Sequence, residues 1–287
     1  MTYALALVAA AAYGAADFFG GTVARRASTI ASVIATQGIG LALLLVATPL
    51  MLDAVVRPAD VGFGLLAGLA GSVGVSLLYR GLAIGPMSVV APTTAVCAVI
   101  VPLVAGLTLG ERLAPLAAVG VGVAIAAVVL LGQDSAPSPA GHEVPRTAAQ
   151  VAYAIRIALA SGVAIGGFFV CLGQTAAPAG LWPLVASRGV SVTLFFAAAL
   201  AGRRAWRIPA AALAPAAICG ALDMVANGLY LVAVRQGPLS LVSTLASLYP
   251  ASTVLLARYV LGERLGRWQQ AGVAAAIAAI VLIVANS

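Results

Sequence analysis

The pentapeptide Leu109-Gly110-Glu111-Arg112-Leu113 occurs twice. It returns as Leu261-Gly262-Glu263-Arg264-Leu265, an offset of 152 residues from Gly110 to Gly262. At the same offset Gly85-Pro86 returns as Gly237-Pro238, Gly68 as Gly220, Gly120-Val121 as Gly272-Val273, and Ala124-Ile125-Ala126-Ala127 as Ala276-Ile277-Ala278-Ala279. No gap is needed between Gly68 and Leu130. A repeat of this length is half a protein duplicated rather than one unit of a solenoid. Each copy of the pentapeptide sets a short charged turn between two long apolar runs.

Those runs decide the class. Of 287 residues 63% are hydrophobic and 8% are charged, against roughly a quarter charged in soluble domains. The runs approach the roughly 20 residues that a bilayer span needs. The spacing predicts ten of them, at about 2–21, 29–52, 61–84, 87–109, 114–132, 151–174, 181–201, 209–235, 239–261 and 267–285. Residues 53–60 read as a polar turn containing Pro58. The fold expected is an all-α polytopic membrane protein of two five-helix repeats, residues 1–132 and 151–287, joined by a linker at 133–150 with the loop-forming Ser135-Ala136-Pro137-Ser138-Pro139. An odd number of spans per repeat inserts the second copy upside down relative to the first, the construction typical of secondary transporters, and places a substrate site near mid-depth between the halves.

Composition excludes several functions. The net charge of +7 is carried by arginine alone, since the chain has no lysine. The arginines stand singly or in twos and threes at the ends of apolar runs, which fits interface anchoring and gives no stripe for nucleic acid. Cys97, Cys171 and Cys219 lie inside apolar runs without metal-ligand or disulfide spacing. The one histidine, His142, is in the linker. No phosphate-binding loop of the Gly-x-x-x-x-Gly-Lys-Ser/Thr kind is present. The amino-terminal run has no basic segment before it and reads as a retained span, not a cleaved signal peptide. No cofactor and no metal are expected, and nothing in the pattern requires an oligomer.

Polar groups at membrane depth carry the functional reading, because an ionisable side chain there costs roughly 2.5–3.5 kcal/mol by insertion scales. Asp223, Asn227 and Tyr230 share one face of the eighth span by their spacing of four and seven residues. They offer a carboxylate, an amide and a phenol to an ammonium group or a coupling proton. Arg188 in the seventh span is placed to bind a carboxylate bidentately, or to form an ion pair with Asp223 that locks the seventh and eighth spans. Asp17 faces either the cavity or the interface near Arg25, and Gln37 serves either substrate or helix packing. The repeat position of Asp223 is Gly71, so the first half supplies no matching carboxylate. Pro92 and Pro102 in the fourth span and Tyr249-Pro250 in the ninth interrupt helical hydrogen bonding. Thr93, Thr94, Ser243, Thr244 and Ser247 bring hydroxyls nearby, each free to bond its own helix backbone instead. Glu111-Arg112 and Glu263-Arg264 fit turn capping at the membrane edge, and Arg80, Arg156 and Arg258 near span ends fit snorkelling. Gly64, Gly68 and Gly71 put small residues at close-contact spacing in the third span.

Two five-helix repeats, each closing on an apolar run, Gly-Glu-Arg-Leu and an Ala/Val-rich last helix, resemble the EamA-type transporters of the drug/metabolite transporter superfamily. The likeness spans nearly the whole chain and is strongest over 85–120 and 237–272. Members typically open with an aromatic-Gly-Ser motif, here Tyr13-Gly14-Ala15, and often carry an arginine in the second and seventh spans. Ser187-Arg188-Gly189 keeps that arginine, whereas Thr36-Gln37-Gly38 has glutamine. The resemblance implies efflux of a small metabolite or drug through the inner (cytoplasmic) membrane, driven by an ion gradient or exchange. It also implies an inside amino terminus. The crowding of Arg25, Arg26, Arg203, Arg204, Arg207, Arg264 and Arg267 on one side argues for the opposite orientation by the positive-inside rule. Residues expected at the substrate or coupling site are Asp223, Arg188, Asn227, Tyr230, Asp17, Gln37, Thr94, Ser247 and Tyr249. The alternatives are a flippase for a lipid-linked sugar and a membrane-embedded enzyme, which would need a cluster of histidine, cysteine or carboxylate that this chain lacks.

Overall fold

A computed structural model describes residues 1–24, 26–50, 53–84, 87–133, 148–261 and 265–285. The second pentapeptide's Gly262, Glu263 and Arg264, the Gly85-Pro86 pair, Arg25, and nearly all of the linker with His142 lie outside the described residues. The elements are α1 (Thr2–Ala24), α2 (Thr29–Ala47), α3 (Pro58–Ile84), α4 (Met87–Thr108), α5 (Pro115–Gln133), α6 (Ala148–Gly173), α7 (Trp182–Ala201), α8 (Ala210–Val234), α9 (Leu239–Ala246), α10 (Tyr249–Leu261) and α11 (Arg267–Val284). Among the described residues these make ten spans long and apolar enough to cross a membrane, with α9 and α10 together forming the ninth. The all-helical, two-by-five architecture expected from the repeat is the one observed.

Two local differences have physical causes. The second span ends at Ala47 in a 3-10 turn over Thr48–Leu50, where Pro49 cannot continue the ladder. The turn expected at 53–60 stops at Arg57, and Pro58 opens α3, a position where its missing N–H is no loss. Asp60 in that first turn accepts from the backbone N–H of Arg57 at 3.2 Å, a reach-back that satisfies one orphan donor of the helix start. The prolines of the fourth span leave one continuous helix. The ninth span breaks at Ser247-Leu248, and Tyr249-Pro250 starts the new helix.

The chain forms two compact units, and they are not the two sequence repeats. One holds Met1–Ser72 with Phe168–Gly237, the other Val73–Gly167 with Pro238–Ser287. Each unit takes helices from both repeats, and α3 and α6 contribute to both.

In the first unit α1 packs along α8, and α2 packs on α7 and α8. A side chain at Gly220 of α8 would come within 2.5 Å of the Thr36 carbonyl on α2, and its repeat partner Gly68 of α3 lies as tightly against Ser187 of α7. Gly64 meets Pro183 and Ala186 on the same α7 face. The small residues singled out in the third span are therefore its contact face, as packing without a hydrophobic drive requires.

In the second unit α5 pairs with α11, and α4 with α5 and α9. Here the repeat reappears as a reciprocal seat. Gly120 of α5 receives Ile283 of α11, and Gly272 of α11 receives Leu131 of α5, with a Cβ at either glycine 2.8 Å from the incoming side chain. Every residue from Leu239 to Leu248 is buried, so α9 is the centre of this unit. Its N-cap residue is Pro238, which has no side-chain acceptor. Glu111 supplies one. Its Oε1 accepts from the Leu239 N–H at 2.5 Å and its Oε2 from the Ser240 N–H at 3.0 Å. The Glu-Arg turn does cap a helix, as its sequence suggests, but the helix belongs to the other repeat. Gly110 at φ +93° makes the reversal that aims it, a backbone conformation in which glycine carries no steric cost. Arg80, Arg156 and Arg258 are exposed, as snorkelling side chains should be.

Candidate functional site

The first unit contains a polar cluster built by four helices. Along α8, Cys219, Asp223, Asn227 and Tyr230 fall at spacings of four, four and three, which a helix brings to one face. Arg188 comes from α7, Gln37 from α2, and Tyr13 and Asp17 from α1. The close α2–α8 crossing seated by Gly220 is what lets Gln37 reach a group held between α7 and α8.

Arg188 is the hub. Its Nη2 donates to Asp223 Oδ2 at 2.5 Å, and its Nη1 donates to Gln37 Oε1. The ion pair is lopsided in access, with the arginine side chain 8% exposed and the aspartate 29%. Asn227 Nδ2 donates to the Asp223 carbonyl at 2.7 Å and to its Oδ1 at 3.2 Å. Tyr230 is fully buried and donates from its hydroxyl to the Phe169 carbonyl at 3.2 Å. The internal pair that the sequence allowed between spans seven and eight is thus formed, with Gln37 as the cation's second acceptor. Gln37 belongs to the first sequence half and Arg188 and Asp223 to the second, so the cluster joins the halves.

Asp17 sits seven residues before the end of α1 and is exposed. No cation pairs with it among the described residues. It lies near enough to Asp223 for the two charges to act on each other. A carboxylate two turns inside a span is costly against lipid. The aromatic rings are continuous with the cluster. Tyr13 meets Phe169 edge-on at 6.3 Å between centroids, and Phe169 meets Tyr230 at 4.8 Å.

Six of the nine expected residues, Asp17, Gln37, Arg188, Asp223, Asn227 and Tyr230, are brought into this unit. Thr94, Ser247 and Tyr249 belong to the second unit. There Thr94 donates to the Ala158 carbonyl at 3.2 Å and Ser247 to the Ser243 carbonyl at 2.7 Å. Their hydroxyl protons are committed, and their oxygens remain acceptors. Tyr13 is a member that sequence reasoning read only as part of an opening motif; its spacing of four from Asp17 was the signal available. Cys219 stands within electrostatic reach of Asp17, Asp223 and Arg188, where its sequence context suggested packing alone. No group of three or more His, Cys, Asp or Glu side chains capable of holding a metal occurs among the described residues.

A second polar cluster lies at one edge of the same unit. Arg235, the residue closing α8, donates to the Thr175 carbonyl at 3.3 Å, the Thr175 hydroxyl at 2.8 Å and the Gly180 carbonyl at 2.8 Å. Asp60 accepts from the Ala176 N–H at 2.7 Å. Together they pin the turn between α6 and α7 to the start of α3 and the end of α8. This chemistry is saturated with backbone partners and holds a loop.

Comparison with known proteins agrees with this architecture. No curated protein matches the chain. Among solved structures, one described only as a crystal structure of a protein has a TM-score of 0.75 at 16% identity, over 98% of this chain and 95% of that one. At that identity the likeness speaks for the fold. The model of the EamA-like transporter family matches twice, over residues 1–133 and 152–285. With both halves matched and ten membrane-length helices in place, the chain belongs to the EamA-like transporter family.

Proposed function

We propose that this transporter is a secondary active carrier that exports a small organic metabolite or drug across the inner (cytoplasmic) membrane by alternating access, with a proton as its coupling ion at Asp223. The observation that carries the reading is the Arg188–Asp223 pair at span depth, with Gln37 from the other half as its third member. A structural ion pair gains most when both charges are withdrawn from water and fully bonded. This one leaves the carboxylate with an accessible edge. Asp223 can therefore trade Arg188 for a proton or for a cationic group, and release of Arg188 lets α7 and α8 shift relative to one another. Competition of substrate and proton for one carboxylate is sufficient for exchange, because each then drives the other off.

The test is transport. Protein reconstituted on a solid-supported membrane is challenged with amines, amino acids and organic anions at two pH values, with Asp223→Asn beside the parent. The expected outcome is substrate-specific, pH-dependent transport that disappears in the variant, read as current for zwitterions and anions and as labelled-substrate exchange for amines, since one proton against one monovalent cation moves no net charge. Persistence of that transport and its pH dependence in Asp223→Asn removes the coupling role.

A further inference from the structure

The cluster is one positive charge short. Two carboxylates, Asp17 and Asp223, lie within reach of each other's field, while the one arginine pairs with Asp223. Asp17 has no cationic partner among the described residues and is exposed. Two carboxylates sharing a site repel, and the arrangement favours any cation that enters.

Two further features specify what kind of cation. Asn227 is 1% exposed, and its Oδ1 has no hydrogen-bond donor, while its Nδ2 is spent on Asp223. A buried acceptor left without a donor is costly, so a ligand that brings an N–H completes the set. Aromatic rings are nearby, with Tyr13 in electrostatic reach of Asp17 and Asp223 and packed edge-on to Phe169. Ring faces near a carboxylate suit a cation that carries an apolar body.

From the unpaired Asp17 carboxylate, the orphan acceptor of Asn227 and the neighbouring rings, we infer that the site takes a protonated organic amine, held by charge at Asp17 and Asp223 and by an N–H donated to Asn227. This inference rests on the proposed carrier site and adds the ligand's chemical class. A bare metal ion would take the carboxylates and the amide oxygen but leave the rings unused, and a quaternary ammonium has no N–H to give.

Equilibrium binding to the purified full chain in detergent tests it, by calorimetry with phenethylamine, its N,N,N-trimethyl analogue and phenylacetate. Phenethylammonium should bind saturably, the trimethyl analogue about tenfold more weakly for want of the donated bond, and phenylacetate not at all. Asp17→Asn should weaken both cations by about tenfold or more, and Asp17→Glu should restore them. Asn227→Ala should erase the difference between the two cations. Circular dichroism and a single symmetric elution peak establish that each variant is folded. Binding of phenylacetate equal to that of the amine, absence of amine binding at millimolar concentration, or indifference to Asp17→Asn overturns the inference. Because the readout is binding, the two ideas fail separately. Loss of amine binding with proton-coupled current intact for another substrate removes the ligand class alone. Amine binding with neither such current nor exchange of labelled amine in proteoliposomes removes the transport reading.

Discussion

The two compact units are built from the same duplicated helices yet handle buried polarity in opposite ways. In the first, the polar groups at depth are charged and depend on one another, with Arg188 held between Asp223 and Gln37. In the second they are hydroxyls, and four of them settle on a nearby carbonyl, while the buried Ser240 hydroxyl has no partner among the described residues. Ser161 donates to Gly74 at 2.7 Å, Thr94 to Ala158 at 3.2 Å, Thr244 to Ser240 at 2.7 Å, and Ser247 to Ser243 at 2.7 Å. A hydroxyl bonded to a carbonyl is satisfied whatever its neighbours do. A charge is satisfied only while its partner stays, which makes it sensitive to a ligand or a proton. Duplication repeated the helices and their close contacts but not this chemistry; where the second half has Asp223, the first has Gly71.

Breaking the ion pair should give the largest effect. Arg188→Leu leaves Asp223 without its cation, and unfolding in detergent should show a loss of about 2–4 kcal/mol, reduced by the aspartate's accessible edge. Replacing both partners, Arg188→Leu with Asp223→Leu, should recover most of that loss, because an apolar pair has no orphaned charge. If the double variant is no better than the single, the pair is not a self-contained unit and the contrast with the hydroxyl-bearing unit weakens. The same double variant should be silent in transport.

Packing should respond alike in both units. Gly220→Leu in the first and Gly120→Leu in the second each drive a side chain into a neighbour that a Cβ would already reach at 2.5 Å and 2.8 Å. Each should cost about 1–3 kcal/mol, read as a fall in midpoint of thermal unfolding. Equal losses would show that helix contact is the inherited, repeated property. A loss confined to one unit would show that the copies have diverged in packing as well as in chemistry.

The cap on α9 comes next. Glu111→Gln keeps the size and one acceptor oxygen, so it removes charge at a helix start where negative charge is favoured, worth about 0.3–1 kcal/mol. Glu111→Ala leaves two backbone N–H groups at the buried start of α9 without their acceptor, and should cost about 1–2 kcal/mol. Hydrogen exchange at Leu239 and Ser240 should rise in both variants, more in the alanine one. Unchanged exchange there would detach Glu111 from the stability of the ninth span.

The sequence disclosed more of the fold than of the site, and the reason is physical. Span length and repeat spacing depend on local composition, so ten helices could be placed to within a few residues. The partition into units depends on which faces of distant helices meet, and periodicity says little when a helix is apolar all round. Asp223, Asn227 and Tyr230 were legible as one face because a helix fixes their spacing. That Glu111 would reach into the other repeat was not, since a turn residue carries no mark of its distant partner. The break in the ninth span at Tyr249-Pro250 was legible, but the continuity of the fourth was not, because Pro92 and Pro102 also lack a backbone N–H and nothing local marks them as tolerated.

The smallest effect is the sharpest check on the contrast between the units. Thr94→Val preserves the branched shape and removes only the hydroxyl that bonds the Ala158 carbonyl. That carbonyl lies inside α6, where the backbone N–H of the next turn already supplies a bond, so losing the hydroxyl leaves it partly satisfied. The buried valine also lacks the hydroxyl's own need for a partner. The net cost should be about 0.5–1 kcal/mol, the ordinary worth of one neutral hydrogen bond, and several-fold below that of Arg188→Leu. If Thr94→Val were as damaging as removal of the arginine, the second unit's hydroxyls would be as interdependent as the first unit's charges. The division of labour between a reactive unit and a settled one would then fall. A cost near the expected value would assign Thr94 to the pairing of α4 with α6.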